Sequence, residues 1–294
     1  MEINVSVIIV NYNTKELTHQ CIESVKTQTK DVSYEIILVD NASTDGSKDC
    51  FAKREDIIYL YSIENLGFGR ANNLGFSKAS GKYLFLLNSD TILINNAIRS
   101  FYDFMKAASM DIACCGSFLR DRDLKIIHSY GRFHTFWNTI YEWCFFPYLS
   151  RFGLSFRKYD YPIENTDDYY VVDYVTGADL FIRREIAERY GLFDPDFFMY
   201  YEDVELCKRY HDAGYKSVLI EAPQIIHLGG GSSMDNQDGK HLVAQNSMFL
   251  YMKKSLNKME YVSFRMLFMI FNVWPNKCKK IFLNYKRKNH MQFI

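Results

Sequence analysis

Apolar residues run unbroken from Val5 to Val10 and from Ile36 to Val39, and less strictly from Ile57 to Tyr61 and from Tyr83 to Leu87. Each run is bounded by polar turn-formers, the pattern of a strand covered on both faces. Between the runs the period changes. Leu17, Cys21, Ile22 and Val25 fall at helical spacing, a short helix is expected after Gly46, and another over Gly69 to Ala79. Strand and helix alternate four times, which predicts a parallel, doubly wound α/β sheet with ligands at the carboxyl ends of its strands. Beyond Ile112 to Gly116 the alternation gives way to an aromatic-rich stretch, Phe133 to Tyr161, with Trp137 and Trp143. That stretch suits an insertion packed on the sheet, or a wall on which sugar rings stack. Val171 to Val175, Leu180 to Ile182 and Ser217 to Ile220 resume strand character, and Glu202 to Ala213 reads as an amphipathic helix.

Polar residues collect where the first four strands end: Asn11-Tyr12-Asn13, Asp40-Asn41-Ala42-Ser43, Glu64-Asn65-Leu66-Gly67 and Asn88-Ser89-Asp90. Turn chemistry alone accounts for any one of these exits; four in register point to a binding edge. Asp40 is placed to accept hydrogen bonds from a base N–H or a ribose hydroxyl. Asn11, Asn65 and Asn72 add amide donors and acceptors, and Tyr12, Asn13, Asn41, Gly67, Asn88 and Ser89 complete the candidate nucleotide-binding set. Asp90 leaves a rigid apolar strand as a hard oxygen ligand of the kind that holds Mg²⁺ or Mn²⁺ together with substrate phosphates, although an acid in this position also serves as a helix cap. Glu202-Asp203 opens a helix behind the aromatic run Phe197 to Tyr201. The helix dipole favours acids there, and an apolar collar also lifts a carboxyl toward general-base range. His227 precedes Gly229-Gly230-Gly231-Ser232-Ser233, a combination that suits a metal ligand at the start of a mobile lid.

Composition narrows the partners. The chain has 294 residues, 48% of them hydrophobic, and its 35 basic and 35 acidic residues cancel, which argues against nucleic acid. The charges are segregated, however. From Lys253 to Ile294 there are ten Lys or Arg against the single acid Glu260, leaving 25 basic and 34 acidic residues before it. Basic and aromatic residues mixed in this way suit a helix resting on anionic lipid, or a solvated face on a packing helix. Seven cysteines without a C-x-x-C suggest neither a disulfide framework nor zinc, and a reducing cytosol fits best. There is no signal-peptide pattern, and the longest apolar run, Met266 to Phe271, is far too short to span a bilayer. A cytoplasmic protein at the inner face of the cell membrane is expected.

Taken in order, Val10-Asn11-Tyr12-Asn13, Asp40 to Ser47, Asn65 to Asn73, Leu87 to Asp90, Thr176-Gly177-Ala178, Gly191 to Asp194 and Glu202 to Leu206 resemble family 2 glycosyltransferases over residues 4–233. The likeness is strongest to the bacterial rhamnosyltransferase-type branch. It implies a GT-A fold, a mostly parallel twisted sheet flanked by helices, and a metal-dependent inverting transfer from a nucleotide-diphosphate sugar. The donor would be dTDP-rhamnose or a UDP-hexose, and the acceptor a surface saccharide or lipid-linked glycan. By this resemblance Asp40 and Asn11 hold the nucleoside, Asp90 is the metal-binding acid of the D-x-D motif, and His227 is a further metal ligand. Asp203 of the Glu202-Asp203 pair is the base. Asn88 departs from the pattern, keeping an oxygen ligand but losing a charge. The expected organisation is a catalytic domain over 1–233, with a nucleotide-binding half 1–118 and an acceptor half 119–233, followed by a helical extension over 234–294.

Three other classes meet obstacles in the residues. A dinucleotide oxidoreductase needs G-x-G-x-x-G after the first strand, where this chain has Asn11-Tyr12-Asn13. A sugar nucleotidyltransferase needs a Gly-rich basic loop at the same place, and a non-catalytic carbohydrate-binding protein has no chemical use for Glu202-Asp203.

Overall fold

The computed structural model describes residues 2–149, 164–229 and 237–273. Gly230, Gly231, Ser232 and Ser233 of the expected lid, residues 150–161 of the aromatic stretch and the basic segment beyond 273 lie outside the described residues. Contacts divide the chain into two units, Met1–Phe133 with Tyr161–Met248, and His134–Asp160 with Phe249–Ile294. This division differs from the expected one, because the aromatic segment after Phe133 groups with the C-terminal segment and not with an acceptor half.

The first unit opens with the predicted alternation: β1 (Val5–Asn11), α1 (Lys15–Gln28), β2 (Tyr34–Asn41), α2 (Ser47–Phe51), β3 (Ile58–Ser62), α3 (Phe68–Phe76) and β4 (Tyr83–Asn88). Three further elements follow, β5 (Thr91–Leu93), α4 (Ala97–Ala107) and β6 (Ile112–Ser117). The remainder comprises β7 (Tyr130–Gly131), β8 (Tyr170–Val172), β9 (Tyr174–Val175), β10 (Asp179–Arg183), α7 (Arg184–Tyr190), α8 (Glu202–Asp212), β11 (Lys216–Ile220) and β12 (Ile225–His227). Eight strands form the main sheet in the order β3-β2-β1-β4-β10-β6-β11-β8. The sheet is mostly parallel, as expected, with two strands reversed: β10 runs antiparallel to both β4 and β6, and β8 antiparallel to β11. The reason is the direction of entry. Asn88 N donates to Ala178 O at 3.0 Å, so the chain meets the sheet at the carboxyl end of β4 and β10 must run away from it. The stretch Val171 to Val175, expected as one strand, is split at Asp173. Its carboxylate accepts from Phe133 N at 2.9 Å, and β9 leaves the main sheet to pair with β7.

Continuous apolar strands are covered on both faces, as their sequence requires. Val5, Val7, Ile8 and Ile9 of β1 and Leu84, Phe85 and Leu86 of β4 are fully buried. Under α4, Phe85, Phe101 and Phe181 form a ring cluster with centroids 5.3–5.8 Å apart, each ring worth about 3–5 kcal/mol against truncation to Ala. Four cysteines, Cys21, Cys114, Cys115 and Cys207, are buried as free thiols.

The second unit is helical in its described residues. It contains α5 (Phe136–Ile140), a π-helical turn over Tyr141–Phe145, α6 (Phe146–Leu149), the last turns of α9 (Gln237–Ser255), α10 (Lys258–Phe268) and a second π-helical turn over Met269–Val273. Within this unit the aromatic segment packs on α10 and its continuation: Trp143 lies 6.1 Å from Phe268 and Phe145 lies 5.0 Å from Phe271. Among the described residues no helix is long and apolar enough to cross a membrane.

Arg183 ties the sheet to α4. Buried to 5% exposure, its guanidinium donates to the carbonyls of Ile112 (2.9 Å), Met105 (2.8 Å) and Ala108 (3.2 Å), closing the C-terminal end of α4 where carbonyls lack helical partners. Arg183→Met strands these carbonyls. It is expected to lower stability by about 3 kcal/mol, read as a reduced urea midpoint at unchanged m.

Candidate active site

Because β1, β2 and β4 are parallel and in register, with Asn11 opposite Asp40 and Val10 opposite Asn88, their polar exits come to one edge. A shallow cleft opens there, lined by Val10, Tyr12, Asn41, Asn65, Gly67, Phe68, Asn88, Ser89 and Met199. Six of these, Tyr12, Asn41, Asn65, Gly67, Asn88 and Ser89, are candidates from sequence. Val10, Phe68 and Met199 were not singled out, because an apolar residue at a strand end, one between two glycines and one in an aromatic run carry no polar signal. Gly67 has φ +80°, and a Cβ on it would lie 2.1 Å from Phe198 O. The position is thus glycine to admit the loop before α8, whose Phe198 O accepts from Phe68 N at 2.9 Å.

Asn11, Asp40 and Asn72, expected at the nucleoside, are buried behind the residues that line the cleft. Asn11 is fully buried; its Oδ1 accepts from Thr14 N (3.2 Å), Thr14 Oγ1 (2.8 Å) and Thr18 Oγ1 (2.9 Å), and its Nδ2 donates to Ser43 Oγ (3.1 Å). Asp40, also fully buried, accepts from Tyr59 OH at 2.7 Å and Ser43 N at 3.0 Å. Asn72 donates to Phe68 O within α3. Asn13, exposed in the left-handed region at φ 54°, accepts from Thr44 N at 2.7 Å and so ties the first two exits together. Asn41 reaches forward, donating to Asn65 Oδ1 at 2.9 Å and accepting from Leu66 N at 2.8 Å.

Asp90 and His227 lie against one another. Antiparallel pairing of β12 with β5 sets His227 opposite Thr91, and its Nε2 lies 3.2 Å from Asp90 Oδ1 and 3.4 Å from Asn88 Nδ2. Burial pulls the imidazole pKa down, but the hydrogen bond and charge of Asp90, with a smaller contribution from Asp179, outweigh it and leave it above the usual 6.5. Two ligands on adjacent corners of an octahedral ion, each about 2.1 Å from it, stand about 3 Å apart, so this spacing and the carboxylate–imidazole donor set fit a divalent cation of the Mn²⁺ kind. Among the described residues no third His, Cys, Asp or Glu joins them. Further ligands would come from Asn88, whose amide oxygen and nitrogen are interchangeable by rotation, from solvent, or from phosphate.

Glu202 and Asp203 begin α8 behind two consecutive left-handed residues, Tyr200 (φ 71°) and Tyr201 (φ 67°). Non-glycine residues hold such angles at a cost of about 1–3 kcal/mol each, and here they turn the acids inward. Asp203 accepts from Gly177 N at 3.0 Å and Val204 N at 2.8 Å. Burial raises its pKa against the pull of these N–H groups and of His128. Glu202 is more deeply buried; burial and then the charge of Asp203 raise its pKa further, and its Oε2 has no hydrogen-bond partner. The two backbone N–H groups favour the charge on Asp203, whereas burial disfavours it on Glu202. Phe68 links the pair to the cleft: it lines the cleft, and a Cβ on Gly177 would sit 3.0 Å from its ring.

Sequence reasoning missed Asp179. It opens β10, fully buried, with Oδ2 accepting from Ser117 N at 2.8 Å and Ser117 Oγ at 2.6 Å and Oδ1 unpaired. Burial lifts its pKa to about 7 against the Ser117 hydrogen bonds and the charge of His227. The available signal was an acid at the head of the apolar run Leu180 to Ile182.

A family model described as Glycosyl transferase family 2 matches residues 6–191. The chain is similar to rhamnosyltransferase WbbL of Escherichia coli, 26% identical over 234 residues, covering 76% of this chain and 83% of that protein. It is similar to glycosyltransferase GlyG of Streptococcus pneumoniae, 34% identical over 112 residues, and there it spans only 37% of the relative's length. Among solved structures it resembles mannosyltransferase PcManGT of Pyrobaculum calidifontis in complex with GDP-Man and Mn²⁺, with a TM-score of 0.57 at 16% identity, covering 86% of this chain and 64% of that one. It likewise resembles TarS of S. aureus, with a TM-score of 0.55 at 13% identity, covering 91% and 43%. These structural likenesses establish the fold.

Asp179 makes stability depend on pH. The folded carboxyl holds its proton to about 7, whereas an ordinary one releases it near 3.8. Stability is therefore lost as pH rises from about 4 to about 7 and is level above that, a drop of up to roughly 4 kcal/mol. Asp179→Asn removes the ionisation while keeping the Ser117 hydrogen bonds. Its melting temperature is expected to match wild type near pH 4.5 and exceed it at pH 8.

Proposed function

The chain belongs to glycosyl transferase family 2, and on that footing we propose that it moves a hexosyl group from a nucleotide-diphosphate sugar to a hydroxyl of a saccharide or lipid-linked acceptor, with inversion at the anomeric carbon. The observation that carries the reading is the junction made by Phe68. On one side lies a cleft of amides and hydroxyls suited to a nucleotide, and on the other a buried carboxylate pair of which one member is poised to ionise.

In this reading Tyr12, Asn41 and Asn65 face the nucleoside, Asn88 and Ser89 face the diphosphate, and Asp90 with His227 would hold Mn²⁺ or Mg²⁺. The ion, when bound, neutralises charge developing on the departing diphosphate. Asp203 takes the proton of the acceptor hydroxyl as its oxygen attacks the anomeric carbon. The N–H groups of Gly177 and Val204 fix the orientation of that carboxylate, and the apolar surroundings keep it basic enough to accept. Glu202, holding its own proton, adds no second charge beside the base.

The long match to a rhamnosyltransferase supports dTDP-rhamnose ahead of a UDP-hexose as donor. A sugar nucleotidyltransferase and a non-catalytic carbohydrate-binding protein are not favoured, since the relatives named above are glycosyltransferases. The reaction belongs on the cytoplasmic side of the membrane, where nucleotide sugars are made.

Asp203→Asn is expected to keep donor binding, read by thermal shift with the nucleotide sugar, and to lose at least about 10²-fold in kcat. Glu202→Gln should retain most activity, with the acid limb of kcat/KM still above the ordinary carboxylate range; the reverse pattern would exchange the two roles. For the cation pair, His227→Ala should weaken Mn²⁺ binding in the presence of nucleoside diphosphate by about tenfold or more, measured by paramagnetic resonance of free Mn²⁺. Unchanged affinity would remove His227 from the site.

A further inference from the structure

We propose that α10 is a preformed interfacial helix, and that the face formed by Met259, Val262, Met266, Met269 and Ile270 lies flat on an anionic lipid bilayer. The inference rests on the second unit alone and is independent of the chemistry assigned to the cleft.

Helical spacing and burial agree on two opposed apolar faces. Phe264 and Phe268 point inward, 0% and 2% exposed, and close on Phe249 at 5.6 and 4.9 Å. At 100° per residue the opposite side carries the five residues named above. Their exposures are 80% for Met259, 48% for Val262, 58% for Met266, 54% for Met269 and 57% for Ile270. From Met259 to Ile270, twelve residues of which the last two lie in the π-helical turn that continues α10, the row is about 16 Å long. Single exposed apolar side chains are ordinary, but a continuous row along one helix marks a contact surface. The row continues into Phe271, 38% exposed and 5.0 Å from the equally exposed Phe145, and α5, packed against α10, exposes Trp137 to 74%.

Charge selects the occupant. Lys258 and Arg265 flank the row, and the segment from Lys253 onward has ten basic residues against one acid. A second copy meeting this face through the same face would set like charge against like, whereas an anionic surface is complementary. Unbranched Met side chains conform to an irregular hydrocarbon boundary. The one acid is accounted for by local structure. Glu260 Oε2 accepts from Asn257 N at 3.1 Å while Asn257 Oδ1 accepts from Glu260 N at 3.0 Å, a capping box that fixes the start of α10. The helix is thus formed before any surface is met, and its lone carboxylate is committed to holding the helix end.

The test is flotation of the full-length protein with vesicles of phosphatidylglycerol and phosphatidylcholine, or of phosphatidylcholine alone, at about 50 mM and 500 mM salt. Wild type should float with the anionic vesicles at low salt and much less with neutral ones. The double variant Met266→Asp with Ile270→Asp should reduce flotation about tenfold, and Met266→Ser with Ile270→Ser should give a smaller loss. Thermal shift with nucleotide sugar should be unchanged in both, which separates a lost surface from a lost fold. Failure of wild type to float overturns the proposal, as does equal flotation with neutral vesicles or undiminished flotation of the Asp variant. A dimer in sedimentation equilibrium that the Asp variant breaks, without flotation, assigns the face to a second copy.

Discussion

The side chain of Asn11 is the joint on which the cleft depends. One buried amide ends β1, caps the turn into α1 through Thr14 and Thr18, and reaches Ser43 in the exit from β2. Thr14 Oγ1 extends the joint to Ser89 Oγ at 3.0 Å, at the exit of β4. Three strand ends are thereby held at fixed separation by hydrogen bonds in a buried setting, where an unmade bond costs about 1–3 kcal/mol. The cleft-facing amides, Asn41 and Asn65, are cross-linked in front of this joint and inherit its rigidity. A polar site needs such backing, because amides facing solvent do not by themselves hold their orientation.

Besides Asp40, which is hydrogen-bonded by Ser43 and Tyr59, the same edge of the sheet collects four poorly exposed acids, which meet the cost of a buried charge in three ways. Asp90 has His227. Asp203 has two backbone N–H groups. Asp179 and Glu202 hold their protons to higher pH than ordinary carboxyls because burial raises their pKa, and each has one carboxyl oxygen unpartnered. Reversal of β10 is what brings Asp179 into this group, since an antiparallel strand begins where its parallel neighbour ends. The mixed topology is thus tied to the electrostatics of the site.

The parallel half of the fold was legible because each of its strands is an unbroken apolar run and each exit is polar, two signals that repeat in register. β10 was legible as a strand but not in its direction: direction is set by where the chain enters the sheet, and Thr176-Gly177-Ala178 carries no mark of that. Asn11 and Asp40 were visible as polar strand-end residues, yet the sequence does not say whether such a residue faces a ligand or braces its neighbours. The distinction lies in partners such as Thr18, Ser43 and Tyr59, which come from other elements. Val10, Phe68 and Met199 line the cleft with apolar atoms, and an apolar side chain carries no mark in the sequence that separates a cleft wall from core.

Asn88 and the raised pKa of His227 belong together. With an Asp at 88, two carboxylates would flank the imidazole and the group would be net negative even with His227 protonated. With Asn, protonated His227 and Asp90 form a neutral, hydrogen-bonded pair. Under the proposed function, an imidazolium would occupy the electrostatic place of a cation, and binding one would require Nε2 to give up its proton. Asn88 would lower the pull on a divalent ion by one carboxylate, and affinity at such a site would rise with pH until the imidazole is neutral. Phosphate oxygens of a bound donor would then supply the negative charge that residue 88 does not.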